Sequence, residues 1–224
     1  MATTDSFLPA QNFKMQKHLN QINEWTEKQE MLLNQSKTKY MIVNFCTSMK
    51  FQTRLSIKHS LLEQVHEVRL LGVVLSDTLR WHANTENLVN SAYKRMSILR
   101  KLSCFNVPKK EMLHIYKLYI RSVIEQSSVV WSATLTKEEQ DAFERCQKIS
   151  LKLIYKSEYV SYENALSRAN IPKISERFEM LRLKFAIKCT QNEKTKHMFP
   201  LNTAHSEMQT RKQEVFKVPF VSHS

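Results

Sequence analysis

The chain of 224 residues contains a single glycine, Gly72. Average usage of about 7% would give roughly fifteen glycines in a chain of this length. Loops that bind nucleotide phosphates are rich in glycine, because their backbone must approach the phosphate closely. The composition therefore excludes P-loop and dinucleotide-binding enzymes. Gly72 lies within a strand-like apolar run, residues 69–77, where a glycine usually marks a bulge or a close approach by another backbone or a ligand.

The charge of the chain favours a polyanionic partner. The net charge is +13 and the isoelectric point is about 9.6, which suits nucleic acid or an anionic membrane surface. An ordinary basic surface in solvent is the alternative. The three aspartates, Asp5, Asp77 and Asp141, lie far apart in the sequence and have no neighbouring carboxylate. Because two-metal nucleotidyl transfer needs clustered carboxylates, the sequence predicts no complete polymerase or nuclease site.

The four cysteines are dispersed, and none forms a C-x-x-C pair. They are Cys46, Cys104, Cys146 and Cys189. Zinc ligands usually come in close pairs, so we expect free thiols, no metal and no cofactor. Free thiols suit a reducing, intracellular compartment, nuclear or cytoplasmic. We expect no secretory signal, because the N-terminal residues have no basic region followed by an apolar core. We expect no membrane span, because no apolar run approaches about 20 residues.

Apolar periodicity predicts an α+β fold that is mostly helical. Residues 1–80 would hold one helix and a small antiparallel sheet. The helix covers residues 11–33, with Met15, Leu19, Ile22 and Trp25 on its apolar stripe. The strands are residues 39–45, mostly buried, their hairpin partner 51–59, and a third strand, 68–75, that carries Gly72.

Residues 81–190 are predicted to form a helical bundle, and residues 191–224 a polar, disordered tail. The first helix, residues 85–102, carries a stripe of Leu88, Ala92, Met96 and Leu99. The next begins near Pro108 and buries Met112, Ile115, Tyr119 and Val123. A capping box at residues 136–139 opens the third helix, which carries Phe143, Cys146, Ile149 and Leu153. Ser161 caps a short helix through Leu166, and the last helix carries Ile174, Phe178, Leu181 and Phe185.

Basic residues on the first two of these helices are the strongest candidates for a binding site. Lys94 and Lys101 are seven residues apart and share a face opposite the apolar stripe. The other candidates are Arg95, Arg100, Lys109 and Lys110. Such a face could follow nucleic-acid phosphates, and the alternative is an ordinary solvated helix face.

Aromatic and histidine side chains are weaker candidates. Trp25, Trp81 and Trp131 could stack on bases. Packing is the better interpretation, in the core for Trp25 and at element junctions for the other two. His59, His66 and His82 lack the spacing of a metal or acid–base site, and we expect them at the surface.

Two stretches resemble the C-terminal part of the reverse transcriptase of non-LTR (LINE-type) retrotransposons. One is residues 25–41, with Asn34-Gln35-Ser36-Lys37-Thr38-Lys39 at its centre, and the other is 69–81, with Leu71-Gly72-Val73 and Leu79-Arg80-Trp81. The similarity covers roughly residues 10–190. Later parts of it are Ala92-Tyr93-Lys94-Arg95, Leu99-Arg100-Lys101-Leu102, residues 118–125, Val130-Trp131, Gln147-Lys148 and residues 161–166.

The resemblance implies roles for several of these residues. It makes Lys37 a vestigial proton donor or nucleotide contact at the end of the palm, and it makes the Leu71-Gly72 turn the primer grip, where the backbone must come close to the primer end. The helices after Trp81 correspond to the thumb, which holds the template–primer duplex by its backbone. The basic residues of 94–110 are where we expect those contacts.

The chain departs from the family at the catalytic centre. The fingers and the metal-binding aspartates of the palm are missing, and Asp5 alone cannot replace them. We therefore expect no polymerase activity and, at most, non-specific binding to the backbone of RNA or DNA. The missing fingers and palm, supplied in trans, would be a further partner. The alternatives are a helical protein-interaction module or a translated remnant without function.

A second resemblance involves residues 92–155. They are similar to a segment assigned to the N-terminal part of AlkB-type tRNA-modifying proteins. The oxygenase core of that family binds iron through a His-x-Asp pair, and this sequence contains none. We therefore expect neither dioxygenase nor methyltransferase activity.

Overall fold

The computed structural model describes residues 9–45 and 54–198. The chain is α+β and mostly α, with small sheets followed by a helical region. It divides into two compact units, Met1–Leu88 and Val89–Ser224. Asp5, Cys46, residues 51–53 of the predicted hairpin and residues 199–224 of the predicted tail lie outside the described residues.

The first unit begins with helix α1, Pro9–Lys28. The helix ends five residues before the predicted end at residue 33, because Glu30 turns into the left-handed region at φ 55°. Leu19 of α1 packs, together with Leu33 and Tyr40, against a small core of Leu55, Ile57 and Leu62. The Gln16 side chain makes two hydrogen bonds to the backbone of Ser56. Its Nε2 donates to the Ser56 carbonyl at 2.7 Å, and its Oε1 accepts from the Ser56 N–H at 3.0 Å.

The strands of this unit pair differently from the prediction. Strand β1, Lys39–Tyr40, is parallel to β4, Glu63–Gln64. Strand β2, Ser56–Ile57, forms a hairpin with β3, Ser60–Leu61, and not with residues 39–45. A mostly buried strand over residues 39–45 was therefore the wrong prediction. Val43 and Phe45 are exposed, Phe45 by 78%, because an apolar run does not specify which strand or helix covers it.

Strand β5, Glu67–Leu70, and strand β6, Val73–Ser76, form an antiparallel hairpin in which Leu70 faces Val73. Leu71 and Gly72 make the turn, with φ of 49° and 88°. Positive φ at both central positions is the requirement of the type I′ hairpin turn. The prediction of one strand over residues 68–75 was wrong, since the chain reverses at its only glycine. The turn that the resemblance implied at Leu71-Gly72 is present, although leucine rarely adopts positive φ.

The second unit contains the helical bundle, whose first helix, α2 (His82–Cys104), starts in the first unit. The predicted stripe of Leu88, Ala92, Met96 and Leu99 is buried. The next helix is α3, Lys109–Ile115, with Pro108 at its N-cap. It continues as a π-helix, Tyr116–Arg121, and as α4, Ser122–Ile124.

The π-helix changes which residues face the core. Met112 and Val123 are buried as predicted, but Tyr116 and Ile120 are buried in place of Ile115 and Tyr119. A π-helical turn is wider than the 3.6 residues that the prediction assumed. The buried positions therefore follow one another at steps of four residues from Met112 through Tyr116 to Ile120.

The remaining helices are α5 (Ser128–Trp131), α6 (Lys137–Tyr155), α7 (Tyr162–Ala169) and α8 (Ile174–Gln191). The predicted capping box of α6 is present, since Glu139 N donates to the Thr136 hydroxyl and Thr136 N donates to the Glu139 carboxylate. Ser161 caps α7 by accepting from Asn164 N. Short 3₁₀ helices follow α6 and α8, at Lys156–Glu158 and Lys196–Met198.

An aromatic cluster joins α5, α6 and α8. Trp131 is fully buried and stacks on Phe143, with ring centres 5.2 Å apart. Phe178 meets the Trp131 ring edge-on, also at 5.2 Å. The predicted packing role of Trp131 is confirmed. Phe185, predicted on the same face of α8 as Phe178, is exposed instead.

Candidate nucleic-acid interface

The centre of the candidate interface is the outer side of α2. Lys94 and Lys101 are both exposed, and their spacing places them on one face, opposite the buried stripe. Arg100 is also exposed, but it lies on the flank of this face. Within residues 9–45 and 54–198, no carboxylate pairs with any of these three side chains. We call Lys94, Arg100 and Lys101 the α2 basic face.

Arg95, which was also predicted to contact nucleic acid, contacts Tyr119 of the π-helical segment instead. Its guanidinium donates to the Tyr119 carbonyl at 2.8 Å and lies 4.7 Å from the centre of the Tyr119 ring. Arg95 and Arg100 each lie about 100° from the line of Lys94 and Lys101, on opposite sides of the helix, and it is Arg95 that is turned towards the π-helical segment. Arg95 therefore anchors the π-helical segment to α2.

The two lysines at the start of α3 have different surroundings. Lys110 is exposed, and we found no ion pair for it among the described residues. Lys109 makes a short ion pair with Glu158, which also binds Arg168 at 2.7 Å. These cations, with Lys109 the larger influence, lower the pKa of the Glu158 carboxyl to about 2. Glu158 therefore stays charged at neutral pH and neutralises part of the charge of Lys109.

The charge of the bundle is strongly one-sided. Residues 89–198 contain 21 lysines and arginines against 11 aspartates and glutamates, so they carry most of the net charge of the chain. An excess of this size gives the bundle a positive potential. The α2 basic face therefore adds local, unpaired charge to a unit that is already positive.

Lys37 and the Leu71-Gly72 turn, two of the sites that the reverse-transcriptase resemblance implies, lie in the first unit. Lys37 is exposed in the turn after α1, where its backbone amide donates to the Asn34 side chain at 3.1 Å. Leu71 and Gly72 form the tip of the β5–β6 hairpin, and Leu71 is 91% exposed. Both positions are open to a ligand, and no described carboxylate cluster accompanies them.

The histidine, cysteine and carboxylate side chains of the described residues are the groups that could form a metal centre. His66 is exposed and its Nδ1 lies 2.7 Å from Asp77 Oδ2. Across the described ranges, no group of three His, Cys, Asp or Glu side chains could hold a metal ion. Cys104, Cys146 and Cys189 are free thiols. Burial raises the pKa of the Cys146 thiol to about 11, so this thiol is protonated and unreactive at neutral pH.

Trp25 is the clearest departure from the prediction. Core packing was expected, but 57% of Trp25 is exposed, and Met15 and Ile22 of the same helix are exposed as well. Helix α1 turns Leu19 and Thr26 inward instead. Trp81 is half-buried just before α2, where its carbonyl accepts from Thr85 N at 2.8 Å.

Spacing in the sequence did not indicate that Arg95 would contact Tyr119 or that Lys109 would contact Glu158, because these partners are 24 and 49 residues away. No signal in the sequence connected them.

None of the described helices combines the length and the apolar composition that a membrane span requires.

Comparison with protein-family models, with curated proteins and with solved structures found no match for this chain.

Proposed function

We propose that the helical unit binds the phosphate backbone of nucleic acid without sequence specificity. The observation that carries this proposal is the α2 basic face, which lies on a unit with a large positive excess. Unpaired lysines at a surface gain affinity by replacing the counterions of phosphates. The reverse-transcriptase resemblance supports the same proposal, because it implies that these helices derive from a thumb that held a duplex.

The physics of counterion release sets the expected size of the effect. Each neutralised phosphate contributes a slope of about −0.9 to the dependence of log K on log salt. Contacts from the α2 basic face and Lys110 would give a slope between about −2 and −4. Non-specific affinity of this kind is typically 10⁻⁴–10⁻⁶ M, roughly, at physiological salt.

The test is the binding of the full chain to a labelled RNA–DNA hybrid, measured by fluorescence anisotropy over a range of salt concentrations. Lys94→Gln/Lys101→Gln should weaken binding and make the slope of log K against log salt shallower by the contribution of about two phosphates. The matched control is Lys137→Gln/Lys184→Gln, which removes the same charge from exposed positions on α6 and α8.

Three outcomes contradict the proposal. Binding that is absent at about 50 mM salt, or that does not change with salt, rules out backbone binding. If both double variants weaken binding equally, the net charge of the chain and not the α2 basic face is responsible.

We further propose that the chain does not polymerise nucleic acid, because the sequence lacks the clustered aspartates that hold two metal ions. The measurement is extension of a primer on an RNA template with Mg²⁺ or Mn²⁺. Extension by the purified chain would overturn this account. A complementing fingers-and-palm fragment, supplied separately, tests whether the missing part acts as a partner in trans.

A protein-interaction module is the second candidate, and one observation favours it. Helix α8 exposes Met180, Leu183 and Ile187, which are spaced to share a face. Exposed apolar surface of this kind typically marks a protein contact. Association with a protein that Leu183→Gln abolishes, while Lys94→Gln/Lys101→Gln leaves it intact, would favour this candidate. Hydrogen exchange distinguishes both from a loosely packed remnant.

A further inference from the structure

Helix α1 has an open face that its own unit does not cover. We propose that this face is a second binding site, and that its ligand is an unpaired nucleobase of single-stranded nucleic acid. The α1 open face consists of Met15, His18, Gln21, Ile22 and Trp25, all of them exposed. The opposite side of α1 is the packed side, where Leu19 meets the small core.

The side chains of the α1 open face are suited to a flat heterocycle. Trp25, Ile22, His18 and Gln21 line a depression of about 400 Å³. The indole offers a stacking surface that accepts any base, because every base has a π-face. His18 and Gln21 offer donors and acceptors beside it for the polar edge of the base.

The charge beside the depression complements a nucleic-acid backbone. Lys14, Lys17 and Lys28 are exposed on the half of α1 next to Trp25, and no described carboxylate pairs with them. Glu24 is the one acid among them. The other acid nearby, Glu27, is paired with Lys58 at 2.8 Å. Aromatic stacking bordered by positive charge is the combination that single-stranded nucleic-acid sites use.

The same features argue against a membrane surface as the occupant. A helix that lies in a membrane interface presents a continuous apolar face. Here His18 and Gln21 interrupt the apolar side chains, and Leu19 is turned towards the core of the unit. Polar groups at these positions would lose their hydrogen bonds among acyl chains, whereas base edges can satisfy them.

The base site adds to the backbone binding proposed above and rests on it for part of its affinity. The two proposals nevertheless use different residues, so one experiment separates them. The protein is titrated with a short single-stranded oligonucleotide and with an abasic oligonucleotide of the same length. The two probes carry the same phosphate charge and differ only in their bases.

We expect the normal oligonucleotide to bind about five-fold or more tightly than the abasic one, given the usual strength of base stacking on an aromatic side chain. Trp25→Ala should remove this difference and leave the affinity for the abasic probe unchanged. Trp25→Phe should retain most of it, because phenylalanine still stacks. Trp25 is exposed, so both variants should keep the circular dichroism of the wild type.

The control is Lys94→Gln/Lys101→Gln, which should weaken both probes equally. If Trp25→Ala weakens both probes equally, or neither, the base site is refuted whatever the lysine variant does. If the lysine variant has no effect while Trp25→Ala removes the base-dependent part, the α2 basic face is refuted and the base site stands. Trp25-dependent binding to anionic vesicles, without any preference for bases, would also overturn the base site.

Discussion

A buried polar network in the bundle provides the sharpest test of how this fold is held together. Gln147 of α6 is fully buried. Its carbonyl accepts from the Tyr116 hydroxyl at 2.6 Å, and its amide donates to the Tyr162 hydroxyl and to the Pro172 carbonyl, both at 2.9 Å. Tyr162 in turn donates to Glu144, in a short hydrogen bond. One side chain thus links α6 to the π-helix, to α7 and to the segment before α8.

Gln147→Ala removes all three hydrogen bonds. Each is worth about 1 kcal/mol, and the Tyr116 hydroxyl, which is fully buried, is left without a partner at a cost of about 1–3 kcal/mol. We therefore expect the variant to lower the free energy of unfolding by about 4–6 kcal/mol. Such a loss is a large share of the total of about 5–15 kcal/mol that a domain usually has.

A double-mutant cycle shows whether the loss comes from the network. Tyr116→Phe alone should cost about 1–2 kcal/mol, because it leaves one acceptor of Gln147 unpaired. In Gln147→Ala/Tyr116→Phe the orphaned hydroxyl is gone. The double variant should therefore be more stable than the sum of the single losses, by about 1 kcal/mol or more.

The measurement is urea unfolding followed by the fluorescence of Trp131, which lies in the same unit. Trp25→Phe and Trp81→Phe are introduced in every variant, so that no other tryptophan contributes. Gln140→Ala is the matched control, since Gln140 is exposed on the same helix and makes one hydrogen bond, to Leu135. We expect it to cost about 1 kcal/mol or less.

A loss below about 1 kcal/mol for Gln147→Ala, or losses that simply add in the double variant, would refute the reasoning. Either result would mean that water or a rearranged core satisfies the groups that Gln147 now binds.

Four further predictions concern individual side chains. Leu71→Asn should stabilise the β5–β6 hairpin by about 1 kcal/mol, because asparagine tolerates positive φ better than leucine does; slower amide exchange in the hairpin is the measurement, and faster exchange contradicts it. Cys104 should react with a thiol reagent in the folded chain while Cys146 reacts only on unfolding, and rapid labelling of Cys146 would be inconsistent with its burial. Because burial raises the pKa of Cys146 from 9.0 to about 11, the folded chain holds this proton longer than the unfolded chain. Stability should therefore fall as pH rises from about 9 to about 11, and a urea midpoint that stays constant over this range would contradict it. Glu158→Gln should release Lys109 and strengthen binding to the RNA–DNA hybrid, with weaker binding as the opposing result.

Part of the candidate site could be predicted from the sequence. The shared face of Lys94 and Lys101 follows from their spacing of seven residues, and the burial of the Leu88-to-Leu99 stripe confirms which side of α2 faces inward. Arg95 and Lys109 were expected to contact nucleic acid, but the structure pairs them with Tyr119 and Glu158. Spacing along one helix says which way a side chain points and nothing about what lies there.

The prediction for Trp25 was wrong for a related reason. Helical periodicity placed Met15, Leu19, Ile22 and Trp25 on one apolar stripe, but of these four residues it is Leu19 that packs against the small core. Trp25, by contrast, is exposed to solvent. Amphipathicity measures the tendency of a face to be buried, whereas burial itself depends on the area of the opposing surface.

The sequence by itself determined the features that depend on neighbours within about four residues. The capping box at Thr136, the cap at Ser161, the stripe of α2 and the exclusion of glycine-rich phosphate loops all belong to this class. Tertiary structure alone decided the parallel pairing of β1 with β4 and the π-helical shift that buries Tyr116. The physical reason is that contacts between segments distant in the sequence select this strand pairing and this widened helical turn, and local preference does not specify such contacts.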